Sequence, residues 1–218
     1  MGICYIVGAG DCIENIVLRE GDLVIAADGG VRHLTRMGLV PDIFVGDFDS
    51  VDTAGAAPTV LRHPREKDDT DMALAIREGQ ARGYREFCLY GALGGARFDH
   101  SVANLQLLLS SAKRGLAATL VSGDQRTRVL REGETITFSA GARGYVSVFA
   151  MGGEVRGLTL SGLKYPLTDA TLSPDCPLGV SNEFMGDVAE IGAKEGYLLI
   201  IWQENGGKNC EKLEGCNF

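Results

Sequence analysis

No run of apolar residues in the 218-residue chain reaches the ~18 needed to cross a bilayer as a helix, so no membrane span is expected. There is no surplus of basic residues: 21 Lys and Arg face 29 Asp and Glu, a net charge of −8. That balance argues against a nucleic-acid backbone or an anionic membrane as the main partner. It leaves a nucleotide open, because one bound cation reverses the local field. The six cysteines, at 4, 12, 88, 176, 210 and 216, form no CxxC, and His33, His63 and His100 share no metal spacing. A zinc site is therefore not expected, and the cysteines read as reduced thiols, with Cys210 and Cys216 the pair that could join most easily. No GxxxxGK[ST] and no Gly-x-Ser-x-Gly occurs, which removes Walker-type sites and nucleophile-elbow hydrolases. Gly8-Ala9-Gly10 begins a GxG, but position 13 is Ile where a dinucleotide fingerprint needs its third Gly. Met1-Gly2-Ile3 lacks the basic segment of an export signal, so a cytoplasmic location is expected.

What is present is ordinary for a folded chain, 45% hydrophobic and 23% charged, with length for one sizeable domain or two small ones. Up to about residue 124, short β-rich runs alternate with helical patterns. The runs are Ile3–Val7, Leu23–Ala27, Ile43–Val45, Thr59–Arg62, Phe87–Tyr90 and Ala118–Val121. They are apolar on both faces, as in a parallel sheet covered by helices. Asp71–Arg82 places Met72, Ala75, Ile76 and Gly79 on one helical face, and Ser101–Arg114 does so with Val102, Leu105, Leu109 and Ala112. From residue 125 to 218 the pattern changes: Val129–Ser139, Tyr145–Phe149, Val155–Leu160, Val188–Ile191 and Tyr197–Trp202 are β-rich, many alternate, and Gly-containing turns separate them. The expected architecture is an α/β domain over 1–124, with an open, mostly parallel sheet and helices on both faces, followed by an all-β sandwich over 125–218.

In an open parallel sheet, ligands bind beyond the carboxyl ends of the strands. The segments that follow the first five expected strands carry Gly8-Ala9-Gly10-Asp11, Asp28-Gly29-Gly30, Gly46-Asp47-Phe48-Asp49-Ser50, Lys67-Asp68-Asp69-Thr70-Asp71 and Gly94-Gly95-Ala96-Arg97-Phe98-Asp99-His100. One Asp-Gly turn is only a turn; five such loops on one edge suit a metal and phosphate. Magnesium takes carboxylate and phosphate oxygens. Asp47 and Asp49 alternate so that both carboxylates face one side of an extended strand, and Asp71 at the next helix start can add a third. Without a cation these acids would repel one another. Glycine loops and helix N-termini admit phosphate, and Arg97 and Lys67 are the cations placed to balance it.

Ala27-Asp28-Gly29-Gly30, Gly46-Asp47-Phe48-Asp49-Ser50, Lys67-Asp68-Asp69-Thr70-Asp71 and Gly94-Gly95-Ala96-Arg97-Phe98-Asp99-His100-Ser101-Val102-Ala103-Asn104, in this order, resemble segments of the thiamine pyrophosphokinase (thiamine diphosphokinase) family. Gly162-Leu163-Lys164-Tyr165-Pro166-Leu167 and Val180-Ser181-Asn182-Glu183 are similar to its C-terminal part, so the likeness runs from about residue 27 to 202. One departure is the extra Ala96 before Arg97, where the family pattern has Gly-Gly-Arg. The resemblance implies a homodimer with ATP and thiamine as substrates and thiamine diphosphate and AMP as products. By motif it implies Asp47, Asp49 and Asp71 as Mg²⁺ ligands. Asp28, Gly29, Lys67, Thr70, Arg97 and Asp99 would line the nucleotide and thiamine sites, and Ser181 and Asn182 would reach thiamine. Asp71 or Asp99 would accept the hydroxyl proton. Tyr165, Phe184 and Trp202 are the aromatic candidates for the thiamine rings, with Trp202 better suited to a core. A pyrophosphokinase for another hydroxymethyl heterocycle such as a pterin, and a non-catalytic nucleotide sensor, are the competing expectations.

Overall fold

The computed structural model describes residues 2–12, 16–46, 59–62 and 69–204. Two compact units divide the chain, Met1–Leu107 with Gly115–Gly123, and Leu108–Arg114 with Asp124–Phe218. Among the described residues the fold is rich in sheet, with three α-helices.

Six strands form the first unit: β1 (Cys4–Val7), β2 (Leu23–Ala27), β3 (Ile43–Gly46), β4 (Thr59–Arg62), β5 (Glu86–Tyr90) and β6 (Ala117–Ser122). Every adjacent pair is parallel, in the order β4-β3-β2-β1-β5-β6. The apolar runs account for this: β1, β2 and β3 are buried at every position, which suits strands covered on both faces. Acid side chains fix where strands begin, since Asp22 Oδ1 accepts from Ile3 N and Asp42 Oδ2 from Val24 N, each at 2.8 Å.

Helix α1 (Val31–Arg36) follows a single 3₁₀ turn at Asp28–Gly30; six residues are too few to show a period, and the sequence pattern does not reveal it. Helix α2 (Asp71–Ala81) packs on β1, β2 and β3 with Met72, Ala73, Ala75, Ile76 and Gly79 buried, the face read from the sequence. Thr70 is its N-cap: its Oγ1 accepts from Ala73 N at 3.2 Å, a contact of about 1 kcal/mol.

Helix α3 (Phe98–Lys113) differs from expectation. Its buried positions include Ser101, Asn104, Leu108, Ser111 and Ala112, whereas Val102 is 41% exposed. An apolar-periodicity rule misses this face because Ser101 and Asn104 are buried for their hydrogen bonds, described below. Cys4 and Cys176 are free thiols, whereas Cys88 is disulfide-bonded, against the expectation of six reduced cysteines.

The second unit holds β7 (Gln125–Leu130), β8 (Thr135–Phe138), β9 (Tyr145–Ser161), β10 (Leu167–Leu172), β11 (Asn182–Glu183), β12 (Ala189–Gly192) and β13 (Glu195–Gln203), with antiparallel pairing throughout. Residues 129–139, read as one strand, are parts of two, because Glu134 accepts from Arg131 N and turns the chain. Conversely, two expected strands are the ends of the 17-residue β9. β13 pairs with both halves across an irregularity, β11 with the first, and β10 and β12 with the second. Gly152 lies between the halves at φ 76°, a conformation that glycine adopts without steric cost. The polar, largely exposed β10 has no apolar alternation and escapes a pattern search. Val146, Val148, Leu158, Leu160, Ile191, Leu198 and Ile200 form one core with Phe138, Phe184 and Trp202. Phe138 packs on Phe184 and Trp202 at centroid distances of 4.9 and 5.7 Å. Each such fully buried side chain contributes about 2 kcal/mol.

Candidate functional site

The strand order places the site. From β1 the chain moves outward through β2, β3 and β4, then returns to lay β5 on the other side of β1. The loops leaving β1 and β5 therefore depart in opposite directions along the sheet, which opens a crevice at their carboxyl ends. Backbone hydrogen bonds zip these loops together: Gly8 N to Tyr90 O (2.8 Å), Gly10 N to Gly91 O (2.8 Å) and Asp11 N to Leu93 O (3.0 Å). The zip needs glycine. A Cβ at Gly8 would lie 2.7 Å from Gly91 O, and one at Gly10 would lie 2.6 Å from Leu93 O. Helix α1 secures the other side, with His33 Nε2 donating to Gly10 O at 2.9 Å and Arg36 Nη2 to Cys12 O.

A cavity of about 700 Å³ opens there, large enough for a nucleotide-sized ligand. It is lined by the loops after β1, β2 and β5 and by the first residues of α2 and α3. Of the residues expected in the site, the structure brings Asp28, Thr70, Asp71 and Arg97 to this wall. Asp28 sits at φ 47°, an uncommon conformation for a residue with a Cβ and one that recurs at functional sites. Gly29 is buried just behind the wall, where a Cβ would lie 3.0 Å from the Ala9 Cβ. Asp99 does not line the cavity but holds Arg97 there: Arg97 Nε donates to Asp99 Oδ1 at 2.9 Å and Nη2 to Oδ2 at 2.6 Å. This two-pronged guanidinium contact lowers the Asp99 pKa from 3.8 to about 2 and raises that of Arg97. A carboxylate so stabilised is a weak proton acceptor, and base catalysis by Asp99 requires the pair to open. The extra Ala96 leaves Arg97 on the cavity wall.

Asp47, Asp49 and Lys67 lie outside the described residues. Among the described residues no group of three or more His, Cys, Asp or Glu is arranged to hold a metal. The cavity wall does present the carboxylates of Asp28, Asp69 and Asp71. These hard oxygen donors fit Mg²⁺, which commonly takes one or two protein carboxylates together with substrate phosphates.

Ser181 and Asn182 belong to the second unit. Ser181 is left-handed at φ 59°, and its N–H donates to Ser147 Oγ at 3.0 Å. Asn182 is buried, and its side chain binds the Tyr165 backbone from both ends: Oδ1 accepts from Tyr165 N (3.0 Å) and Nδ2 donates to Tyr165 O (2.8 Å). The same Oδ1 accepts from Glu183 N at 2.9 Å. Of the three aromatic candidates, Phe184 and Trp202 are core residues, whereas Tyr165 is 58% exposed with Lys164 Nζ 5.4 Å from its ring centre.

Four residues that the sequence reading places in its segments without a role also shape the site. Asp11 Oδ2 accepts from Gly95 N at 3.2 Å, Ser101 Oγ from Gly94 N at 3.2 Å, and Asn104 Nδ2 donates to Ala92 O at 2.6 Å. Together they fix the Ala92–Gly95 wall. Ser101 and Asn104, three residues apart and so on one face of α3, were the available signal. Asp69 also lines the cavity, and Arg77 grips it from α2.

Solved structures similar to this one include kinases. The structure matches a thiamine pyrophosphokinase from Bacillus subtilis with a TM-score of 0.81 and 26% identity, covering 93% of this chain and 99% of that one. A thiamin pyrophosphokinase from Geobacillus thermodenitrificans matches with a TM-score of 0.78 and 30% identity over 94% and 99% of the two chains. Fold and site thus define an enzyme, a transferase of the kinase class. Residues 15–120 match the model of the thiamin pyrophosphokinase catalytic domain and residues 133–198 that of its vitamin B1 binding domain. The thiamine pyrophosphokinase of B. subtilis (strain 168) is 29% identical over 188 residues, 84% of this chain and 87% of its own length. The chain belongs to the thiamine pyrophosphokinase family. Its activity is that of a thiamine diphosphokinase, and neither a pterin-directed enzyme nor a non-catalytic sensor is favoured.

Proposed function

We propose that the cavity beyond β1 and β5 binds the phosphates of ATP, whose diphosphate passes to the thiamine hydroxyl, and that the chain works in the cytoplasm. The observation that carries this reading is the convergence of Asp28, Thr70, Asp71 and Arg97 on one glycine-lined wall at the point where the strand order reverses. Asp71, with Asp47 and Asp49, would hold Mg²⁺, which supplies neutralisation of phosphate charge during transfer. The chain's own residues do the rest. The loops after β1 and β5 offer a close backbone surface to the phosphates, and the N-terminus of α2 adds favourable partial charge. Arg97 releases Asp99 to pair with a phosphate oxygen, an exchange of one two-pronged contact for another. In-line attack by the thiamine hydroxyl then depends on positioning rather than on a covalent enzyme intermediate. The hydroxyl proton goes to a released Asp99, or to Asp71 in a state where its carboxylate is not committed to Mg²⁺.

Residues 1–124 would act as the α/β domain, with helices on both faces of its sheet, and residues 125–218 as a β-sandwich domain that receives thiamine. Ser181 would contact thiamine, and Asn182 would shape that surface by holding Tyr165, the exposed aromatic. A homodimer accords with the large apolar side chains exposed on the second unit, including Tyr145, Leu178, Met185 and Val188. The test is AMP release from ATP, Mg²⁺ and thiamine by the wild type and by Asp71→Asn. Asp71→Asn should lose most turnover while keeping its circular dichroism spectrum. ADP as the product, or full turnover by Asp71→Asn, overturns the proposal.

A further inference from the structure

Among the described residues three acids, Asp28, Asp69 and Asp71, line the cavity, and Asp69 is held by a cation from outside it. Asp69 precedes the Thr70 cap of α2, and Arg77 lies two turns along that helix. Arg77 Nη1 donates to Asp69 Oδ2 at 2.5 Å and Nη2 to Oδ1 at 2.8 Å. Side chains on a helix lean toward its N-terminus, so Arg77 reaches back over the first turn to meet Asp69. Arg77 is not itself among the residues lining the cavity. The Asp69 side chain is 30% exposed and that of Arg77 55%, so the contact belongs to the screened, partly exposed kind that adds little to fold stability.

Its value lies in charge. An acid on the wall of a site for a polyanion repels that ligand unless a cation offsets it, and Asp69 Oδ1 and Oδ2 both already face one guanidinium. Resting on the assignment of this cavity to ATP, we propose that Arg77 is a positioning residue for the reaction. It neutralises Asp69 and turns its carboxylate toward α2, so that the wall meets the cation and phosphates without the unscreened negative charge of Asp69. The local charge of the pair is zero in the wild type, −1 in Arg77→Met, +1 in Asp69→Asn and zero again in the double variant.

Steady-state AMP release by the full-length chain tests this, with ATP varied at saturating thiamine and thiamine varied at saturating ATP. Arg77→Met should raise the KM for ATP about fivefold, the upper end for a partly exposed pair, and leave the KM for thiamine unchanged. Asp69→Asn should lower the KM for ATP, and Asp69→Asn/Arg77→Met should return it to near the wild-type value. The ratio of Arg77→Met to wild type should shrink toward one between about 0.1 M and about 1 M salt, as the screening length falls from roughly 10 Å to roughly 3 Å. A role confined to helix stability would instead lower Tm, move both KM values and ignore salt. A double variant as poor as Arg77→Met, or a salt-independent ratio, overturns the proposal. Full turnover by Asp71→Asn removes the cavity assignment, and the Arg77 role falls with it. An inactive Asp71→Asn, beside a wild type and these three variants of equal KM for ATP, refutes the Arg77 role alone.

Discussion

Gly10→Ala tests the zip between the β1 and β5 loops with a single methyl group. Gly10 does not lie in the left-handed region, so alanine can adopt its backbone conformation and the cost is one of contact. The new Cβ would stand 2.6 Å from Leu93 O and 2.7 Å from Gly91 O. Ordinary contact begins at 3.4 Å, so the loops must separate by about 0.8 Å, and neither obstructing atom is a flexible side-chain end. Those oxygens are the acceptors for Asp11 N and Gly10 N, at 3.0 and 2.8 Å, and a shift of that size takes both bonds beyond useful length. Losing two hydrogen bonds at about 1 kcal/mol each gives a loss of about 2 kcal/mol. For a chain of this size that lowers Tm by about 6 °C. The displaced loops also line the cavity, so the KM for ATP should rise more than the KM for thiamine. Thermal denaturation by circular dichroism and AMP-release kinetics read both effects. A Tm within about 1 °C of wild type together with unchanged kinetics would refute the claim that close backbone approach builds this site.

Thr70→Ala removes the cap on α2 and should cost about 1 kcal/mol, read as a Tm lower by about 3 °C; an unchanged Tm would show that the Thr70–Ala73 contact is not formed in solution. Asp99 has its folded pKa depressed to about 2 from 3.8. Its pairing therefore stabilises the folded chain above pH ~4 and is lost as pH falls toward ~2. Carboxyl carbon chemical shifts should place the Asp99 midpoint near the lower value, and a midpoint near 4 would mean that Arg97 does not hold it. Asn182→Ala leaves Tyr165 N, Tyr165 O and Glu183 N without their partner. It should cost about 2 kcal/mol and raise the KM for thiamine more than that for ATP; equal increases would separate Tyr165 from the thiamine surface.

The parallel strands and the α2 face were legible because uniform burial on both faces of a sheet, and a 3.6-residue stripe on a helix, leave their period in the residue types. Where period fails, so does the sequence. In α3, Ser101 and Asn104 occupy buried positions because they bind the Ala92–Gly95 backbone, and the apolar Val102 turns outward. In β9 the glycines at 152 and 153 break the apolar alternation, while β13 pairs on either side of them across an irregularity, so one strand reads as two. At the site, the loop positions of Asp28, Thr70, Asp71 and Arg97 followed from counting along the chain from each strand end. The partners of Arg97 and Asp69 did not, since an ion pair depends on side-chain direction rather than residue type. Likewise the family resemblance implies a thiamine contact for Asn182, and the structure shows its amide engaged with the Tyr165 backbone.

The central position of β1 also bears on the order of assembly. As the chain emerges, β1 to β4 can pair one after another, but the opposite edge of β1 waits for β5, which begins at Glu86. Until then a fully apolar strand shows a row of unsatisfied amides, the kind of edge that recruits other chains. Asp11 and Gly95, whose contact spans 84 positions, meet only after that gap closes. Binding competence is thus acquired late and all at once, and ATP would stabilise only chains that have passed this step. A fragment ending at residue 85 should aggregate and bind no nucleotide, even though it carries the segments with Asp28, Asp47, Asp49 and Asp71.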